Sequence, residues 1–106
     1  FGDLSSLTSV GGSFYIENMR EVTHLDGFSG LTSVGGYLWI SDNPALANLS
    51  GLSGLTSVAA DLSSEEANLF IYENPSLCQS LVDAFVDALG AGLTGIAESF
   101  DNDDSC

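Results

Sequence analysis

The stretch from residue 31 to residue 46 reads Leu-Thr-Ser-Val-Gly-Gly-Tyr-Leu-Trp-Ile-Ser-Asp-Asn-Pro-Ala-Leu. Its first six residues recur at 7–12 and, with two alanines in place of the glycines, at 55–60. The step between the copies is 24 residues both times. A fixed period of this length with aliphatic residues in constant columns is the signature of stacked repeats. The pattern therefore predicts a repeat β-solenoid of about three 24-residue coils over residues 1–75.

A short apolar segment follows each copy of this motif and predicts a strand. Residues 14–16, 38–40 and 69–71 occupy equivalent positions, and an insertion near 61–67 separates the third segment from its motif. The strands of successive coils are expected to pair in a parallel sheet. We expect the Gly-Gly pairs to form corners with positive φ. Asn43-Pro44 and Asn74-Pro75 predict a second corner after the strand.

Residues 31–46 resemble the receptor L-domain branch of the leucine-rich-repeat proteins. The resemblance covers about residues 1–80 and departs from the family pattern at Met19 and in the 61–67 insertion. It implies a right-handed solenoid, an exported protein, and a non-enzymatic binding or wall-associated role.

The C-terminal part, residues 76–106, has a different pattern. Apolar residues recur every four positions, which predicts an amphipathic helix that caps the solenoid; they are Leu77, Leu81, Phe85 and Leu89. Ser76 is the expected N-cap and Gly90 the expected stop. Cys78 and Cys106 are expected to form a disulfide that ties down the tail, as cysteine pairs commonly do in small exported domains. Two free thiols in a reducing compartment are the alternative.

The composition excludes several classes of function. The chain of 106 residues carries 15 acidic residues against one arginine, for a formal charge of −14. Nucleic acid is therefore not an expected partner, because phosphate binding needs clustered Lys and Arg. No apolar run approaches the roughly 20 residues that span a bilayer, so membrane insertion is not expected. A nearly base-free, acidic chain indicates an extracellular or cell-surface location.

Neither a catalytic site nor a cofactor is predicted. The single histidine, His24, lies among turn residues without a nucleophile motif around it. Two cysteines and one histidine are too few to predict a zinc site. The acidic run at 101–104 lacks the glycine and distal glutamate of a calcium loop. We expect it to be a solvated tail, so no metal site is predicted.

Strand alternation predicts one outward-facing aromatic surface. Leu38 and Ile40 should point inward, which turns Trp39 outward. The same alternation gives a predicted interaction face of five residues: Tyr15, Tyr37, Trp39, Phe70 and Tyr72. A contiguous exposed aromatic stripe commonly marks an interface. The alternative is that the tail or the 61–67 insertion covers it.

Two functions are compatible with such a face. The first is a structural or adhesive protein that assembles with itself into a filament or surface layer. Phe1 already lies in the repeat register, so an open N-terminal edge could pair with another copy. The second is a receptor-like module that recognises a polysaccharide or a surface protein on the strand face. We expect self-association to be the main function and ligand recognition to be the alternative.

Overall fold

The structure is a computed structural model that describes residues 7–60, 62 and 67–103. In chain order its strands and helix are β1 (Ser9–Val10), β2 (Phe14–Glu17), β3 (Ser33–Val34), β4 (Leu38–Ser41), β5 (Ser57–Val58), β6 (Ala67–Tyr72), α1 (Gln79–Leu89) and β7 (Ile96–Phe100). Short 3₁₀ helices occupy Asp26–Phe28, Ser50–Leu52 and Gly90–Gly92.

The described strands form two parallel sheets. One has the order β1-β3-β5 and the other the order β2-β4-β6-β7. In the larger sheet Leu38 lies opposite Phe14 on one side and opposite Leu69 on the other. The register thus joins the residues that the repeat placed in one column, across the 61–67 insertion as well. The predicted parallel pairing and the predicted C-terminal helix are confirmed.

Aliphatic residues in the repeat columns form the core. Leu31 and Leu55 are equivalent, as are Val34 and Val58, and all four are buried. Burial of each such side chain stabilises the fold by about 2 kcal/mol. The remaining fully buried large side chains belong to the same cluster; they are Ile16, Leu25, Leu38, Ile40, Leu46, Leu52, Leu69, Ile71 and Leu77.

The helix begins later than the sequence indicated. Its N-cap is Cys78 rather than Ser76, whose hydroxyl instead donates to the carbonyl oxygen of Pro44 at 2.7 Å. Gly90 ends the helix with a φ of 48°, as expected. Leu81 is 41% exposed, so the prediction that it belongs to the buried stripe is wrong. The buried face of α1 consists of Val82, Phe85 and Leu89.

The glycine pairs have a different role from the one expected. Among the described glycines only Gly90 and Gly95 have positive φ, so the Gly-Gly corners do not use the left-handed region. A Cβ on Gly36 would lie 2.6 Å from the Ser13 hydroxyl oxygen and 2.8 Å from its backbone nitrogen. Glycine is therefore needed there because two segments one repeat apart approach each other closely.

Strand β7 was not predicted. Residues 96–100 pair in parallel with β6 and extend the larger sheet to four strands. Asn102, expected in a solvated tail, is only 8% exposed, so that expectation is wrong at this residue. Cys106 lies outside the described residues, and the Cys78–Cys106 pairing stays a prediction. The division of the chain at residue 75 also stays a prediction.

Candidate functional site

The outer surface of the larger sheet carries a continuous group of aromatic side chains. The five residues of the predicted interaction face lie together, and Phe100 of β7 joins them. We call this set the aromatic face; it consists of Tyr15, Tyr37, Trp39, Phe70, Tyr72 and Phe100. Alternation in each strand positions it, because Ile16, Ile40 and Ile71 point to the core and their neighbours point away.

Trp39 lies at the centre of the aromatic face. Its ring centroid is 4.2 Å from that of Phe70, 6.0 Å from that of Tyr15 and 5.8 Å from that of Tyr72. The indole Nε1 donates a hydrogen bond of 2.9 Å to the Tyr72 hydroxyl. Trp39 packs edge-to-face on Tyr72 and at a tilt against Phe70 and Tyr15, so the rings hold one another in place.

The margins of the aromatic face are its most exposed part. Tyr15 on β2 is 52% exposed and Phe100 on β7 is 48% exposed. Trp39, Phe70 and Tyr72 between them are half-buried because they pack against their neighbours. A large apolar side chain that keeps half its surface in water at either margin is available for contact with a ligand.

Phe100 is the part of the face that the sequence did not indicate. Its ring stacks on that of Tyr72 with centroids 4.7 Å apart and an interplanar angle of 11°. The residues that follow Phe100 in the sequence could have indicated a further strand here. Asp101-Asn102 repeats the pair Asp42-Asn43, which stands directly after β4.

Each strand of the larger sheet is followed by a residue in the left-handed region. Asn18, Asp42, Glu73 and Asp101 have φ values of 57°, 56°, 56° and 54°. Asn and Asp adopt this conformation more readily than other residues with a side chain. Three of these residues are acidic and directly follow the neighbouring strands β4, β6 and β7. We call them the acidic edge: Asp42, Glu73 and Asp101.

A ladder of buried asparagines fixes the backbone beneath the acidic edge. Asn43, Asn74 and Asn102 each donate from the side-chain amide to a strand carbonyl, respectively of Ile16, Ile40 and Ile71, at 2.9, 3.1 and 3.0 Å. The Asn74 Oδ1 accepts from the Asn43 amide, and the Asn102 Oδ1 accepts from the Asn74 amide. The first repeat has Met19 in this column, and its backbone N–H donates to the Asn43 Oδ1 at 3.0 Å.

An open groove of about 460 Å³ runs along the acidic edge. Its lining includes Arg20, Pro44, Pro75 and the three carboxylates. A hydrogen bond with the Asp42 side chain raises the pKa of Glu73, and the negative charges of Asp42 and Asp101 raise it further. The groove therefore concentrates acidic groups that repel one another.

The remaining candidates offer no comparable site. The His24 ring nitrogen Nδ1 lies 3.5 Å from a carboxylate oxygen of Asp26, and both side chains are largely exposed. Within the described ranges, no group of three or more His, Cys, Asp or Glu is arranged to hold a metal ion. In the same part of the chain, no helix has the length and apolar character needed to cross a membrane.

Comparison with known families gives one result. The family model of the receptor L domain matches residues 6–94, which is most of the chain. The chain belongs to the receptor L domain family. Searches of the curated proteins and of the solved structures found no significant match.

Membership confirms the resemblance carried by residues 31–46 and fits a β-solenoid-like fold. Receptor L domains are ligand-binding modules that occur in the extracellular regions of receptors, and they are not known as enzymes. The match extends through β2, β4 and β6, so five residues of the aromatic face lie within the matched region. Phe100 and Asp101 lie just beyond it.

Proposed function

We propose that this receptor L domain is a non-enzymatic extracellular binding module that takes its ligand on the aromatic face. In this proposal the repeats form a three-coil solenoid, α1 caps its C-terminal end, and a Cys78–Cys106 disulfide ties down the tail. The sheet then acts as a rigid platform, and no chemical step is required of it.

One observation carries the proposal: the contiguous aromatic face around Trp39, with half-exposed rings at both margins. Aromatic residues on an outer surface are enriched where proteins contact partners, because they bury much area at small entropic cost. The rings are already packed against one another, so a ligand would meet an ordered surface.

The intrinsic fluorescence of Trp39 provides a direct test, because the chain contains a single tryptophan. We would titrate the protein with cellohexaose and with two ten-residue peptides, one alternating Arg and Thr and one alternating Glu and Thr. The proposal expects saturable change in Trp39 emission with at least one probe. Failure of all three probes to change the emission would contradict it.

A matched pair of variants distinguishes binding at the aromatic face from nonspecific binding to exposed apolar side chains. Tyr15→Ser removes an exposed ring from the face, and Leu81→Ser removes a comparably exposed apolar side chain from α1. We expect Tyr15→Ser to weaken binding about tenfold, as loss of an interface aromatic does, and Leu81→Ser to leave it unchanged. Equal effects of the two substitutions would show that the ligand binds elsewhere.

Self-association is a second candidate. Among the described residues β2 has a pairing partner on one side only, and it carries the exposed Tyr15. A head-to-tail contact through this strand and the aromatic face would build a filament or surface layer with adhesive character. Electron microscopy and sedimentation, in low salt and with millimolar calcium, test it. Regular filaments that Tyr15→Ser abolishes would support self-assembly, whereas monomers in both conditions would exclude it.

A further inference from the structure

Carboxylates surround the aromatic face on the described strands. Glu17 lies on β2 on the same side as Tyr15, two residues further along. Glu98 of β7 pairs in register with Phe70 and is exposed. The acidic edge continues the surface beyond the strand ends. Carboxylates therefore lie beside the rings of the aromatic face, including next to its exposed margins at Tyr15 and Phe100.

Positive charge is nearly absent from this surface. Arg20 is the only lysine or arginine in the chain, and it lines the same groove as the three carboxylates of the acidic edge. One guanidinium cannot balance three carboxylates, so the groove keeps an excess of negative charge. Asp42 and Glu73 line the same groove, and interaction with the Asp42 carboxylate raises the pKa of Glu73. A cation from a partner would relieve the repulsion between them.

We propose that the partner is a protein that presents an extended, arginine- or lysine-rich segment to the aromatic face and the acidic edge. This inference rests on the proposed function and names the class of ligand. The basic side chains lie over the rings around Trp39 and direct their charges to Glu17, Glu98 and the acidic edge. The partner is thus opposite in charge to the whole chain, with its formal charge of −14.

The geometry of a sheet suits such a segment. Cations are attracted to the faces of Trp and Tyr rings, and arginine also stacks on them. Neighbouring strands are about 4.8 Å apart, so the row from Asn18 to Asp101 extends over about 14 Å. Alternate residues of an extended peptide are about 7 Å apart and point to the same side. Two or three basic side chains can therefore reach the groove at once.

A neutral glycan and an anionic ligand fit this surface less well. Aromatic rings would stack on sugar rings, and carboxylates can accept hydrogen bonds from sugar hydroxyls. An uncharged polymer nevertheless leaves the repulsion among the carboxylates of the acidic edge uncompensated. Phosphate or sulfate groups would be repelled by the same carboxylates. The charge surplus thus favours a basic protein segment among the ligands that an aromatic platform could take.

The test compares two variants with the same change in net charge. Glu73→Gln with Asp101→Asn neutralises two members of the acidic edge. Asp83→Asn with Asp87→Asn neutralises two exposed carboxylates on α1. These carboxylates lie beside Ala97 and Ser99, on the opposite face of β7 from Glu98 and Phe100. Binding of the alternating Arg-Thr peptide is followed by Trp39 emission and by calorimetry in about 150 mM NaCl, where unspecific attraction is screened.

We expect the edge variant to bind the basic peptide about tenfold more weakly than the wild type, and the helix variant to bind within about twofold. The Glu-Thr peptide should leave the emission unchanged. Equal weakening in both variants would show unspecific attraction to an acidic protein and overturn the inference. Circular dichroism of each variant confirms that it is folded before binding is compared.

Cellohexaose separates this inference from the proposed function. A Tyr15-dependent response to cellohexaose without a response to the basic peptide would overturn the basic partner and leave the aromatic face as a glycan site. If no probe changes the Trp39 emission, both the basic partner and the proposed function of the aromatic face are contradicted. A response to the basic peptide that needs Tyr15 and the acidic edge, but not Asp83 and Asp87, supports both.

Discussion

Asn74 couples three neighbouring strand ends through one buried amide group. Its Oδ1 accepts from the backbone N–H and the side chain of Asn43, and its Nδ2 donates to Ile40 and to Asn102. The amide is fully buried, so water cannot replace these bonds. The ladder thereby ties together the backbone segments that carry the acidic edge.

Substitution Asn74→Ala should lower the free energy of unfolding by about 3 kcal/mol, because several buried partners lose their hydrogen bonds. Urea denaturation followed by circular dichroism measures the change. Asn48→Ala is the matched control, since the Asn48 side chain bonds, among the described residues, only to Ser50 in an exposed turn; it should cost below about 1 kcal/mol. Similar losses in the two variants would show that the ladder contributes no more than an ordinary turn.

Glu73 should make stability depend on pH in the direction opposite to a salt-bridged carboxylate. Its pKa is raised above the usual value of 4.5, first by the hydrogen bond with Asp42 and then by the nearby negative charges. A raised pKa means that the folded state holds this proton more tightly than the unfolded state. The group therefore favours the folded state below pH 4.5, and this contribution is lost as the pH rises through the folded-state pKa.

Substitution Glu73→Gln should consequently raise the melting temperature more at pH 7 than at about pH 3.5, where the wild-type carboxyl is already protonated in both states. Thermal scans at both pH values measure the difference. Glu21→Gln removes an exposed glutamate outside the acidic edge and reports the general effect of one charge less. If Glu73→Gln and Glu21→Gln raise the melting temperature equally at pH 7, the contact between Glu73 and Asp42 does not by itself destabilise the folded state.

At the same scale, the corner after each strand was only partly predictable. The turn tolerance of Asn43 and Asn74 correctly indicated a corner at these positions. The left-handed residue is nevertheless the one before, Asp42 or Glu73, and the asparagines are buried bridging residues. Asparagine at equivalent repeat positions does not show whether it adopts the left-handed conformation or bridges neighbouring strands, because asparagine suits both roles.

At the scale of elements, the repeat predicted β2, β4 and β6 because aliphatic residues alternate in each of them. It failed for β7, where Ala97 and Ser99 take the positions of Leu69 and Ile71 in the pairing register. The inner face of β7 lies beside α1, and Ala97 and Ser99 line an open groove between the two elements, so these positions carry no large apolar side chains. Hydrophobic periodicity cannot reveal a strand whose inner face has no large apolar side chains.

The 3₁₀ helices provide an element-scale prediction. Gly51 in Ser50–Leu52 lies directly over the backbone of Leu25, and a Cβ there would overlap the Leu25 carbonyl group. Gly51→Ala should therefore lower the free energy of unfolding by about 3 kcal/mol, since backbone must move to make room. Gly12→Ala is the control, because among the described residues no atom outside its two chain neighbours lies within 4 Å of its Cβ position.

Gly12 does not have positive φ, so an alanine fits its backbone. We expect Gly12→Ala to be neutral or to stabilise by up to about 1 kcal/mol through the unfolded state. Chemical denaturation of both variants gives the comparison. Equal stability of Gly51→Ala and wild type would mean that the two 3₁₀ helices do not pack as closely as the structure places them.

For the molecule as a whole, the balance is between a continuous apolar core and a strongly charged surface. The core columns pass from one repeat to the next, no acidic side chain of the described residues is buried in the core, and the chain has one arginine. Repulsion among surface carboxylates opposes compaction, and it acts over distances that salt can screen. Stability should therefore depend on ionic strength more than in a protein with balanced charge.

Raising NaCl from about 10 mM to about 150 mM should stabilise the fold by about 1 kcal/mol and raise the melting temperature by about 5 °C. Tetramethylammonium chloride should act equally if screening is the cause, because this cation is too large to occupy a carboxylate pocket. The variant Asp83→Lys with Asp87→Lys lowers the net negative charge on α1 and should show a smaller salt response. A response to sodium alone would point to a specific cation contact, and no response at all would mean that the acidic surface does not limit stability.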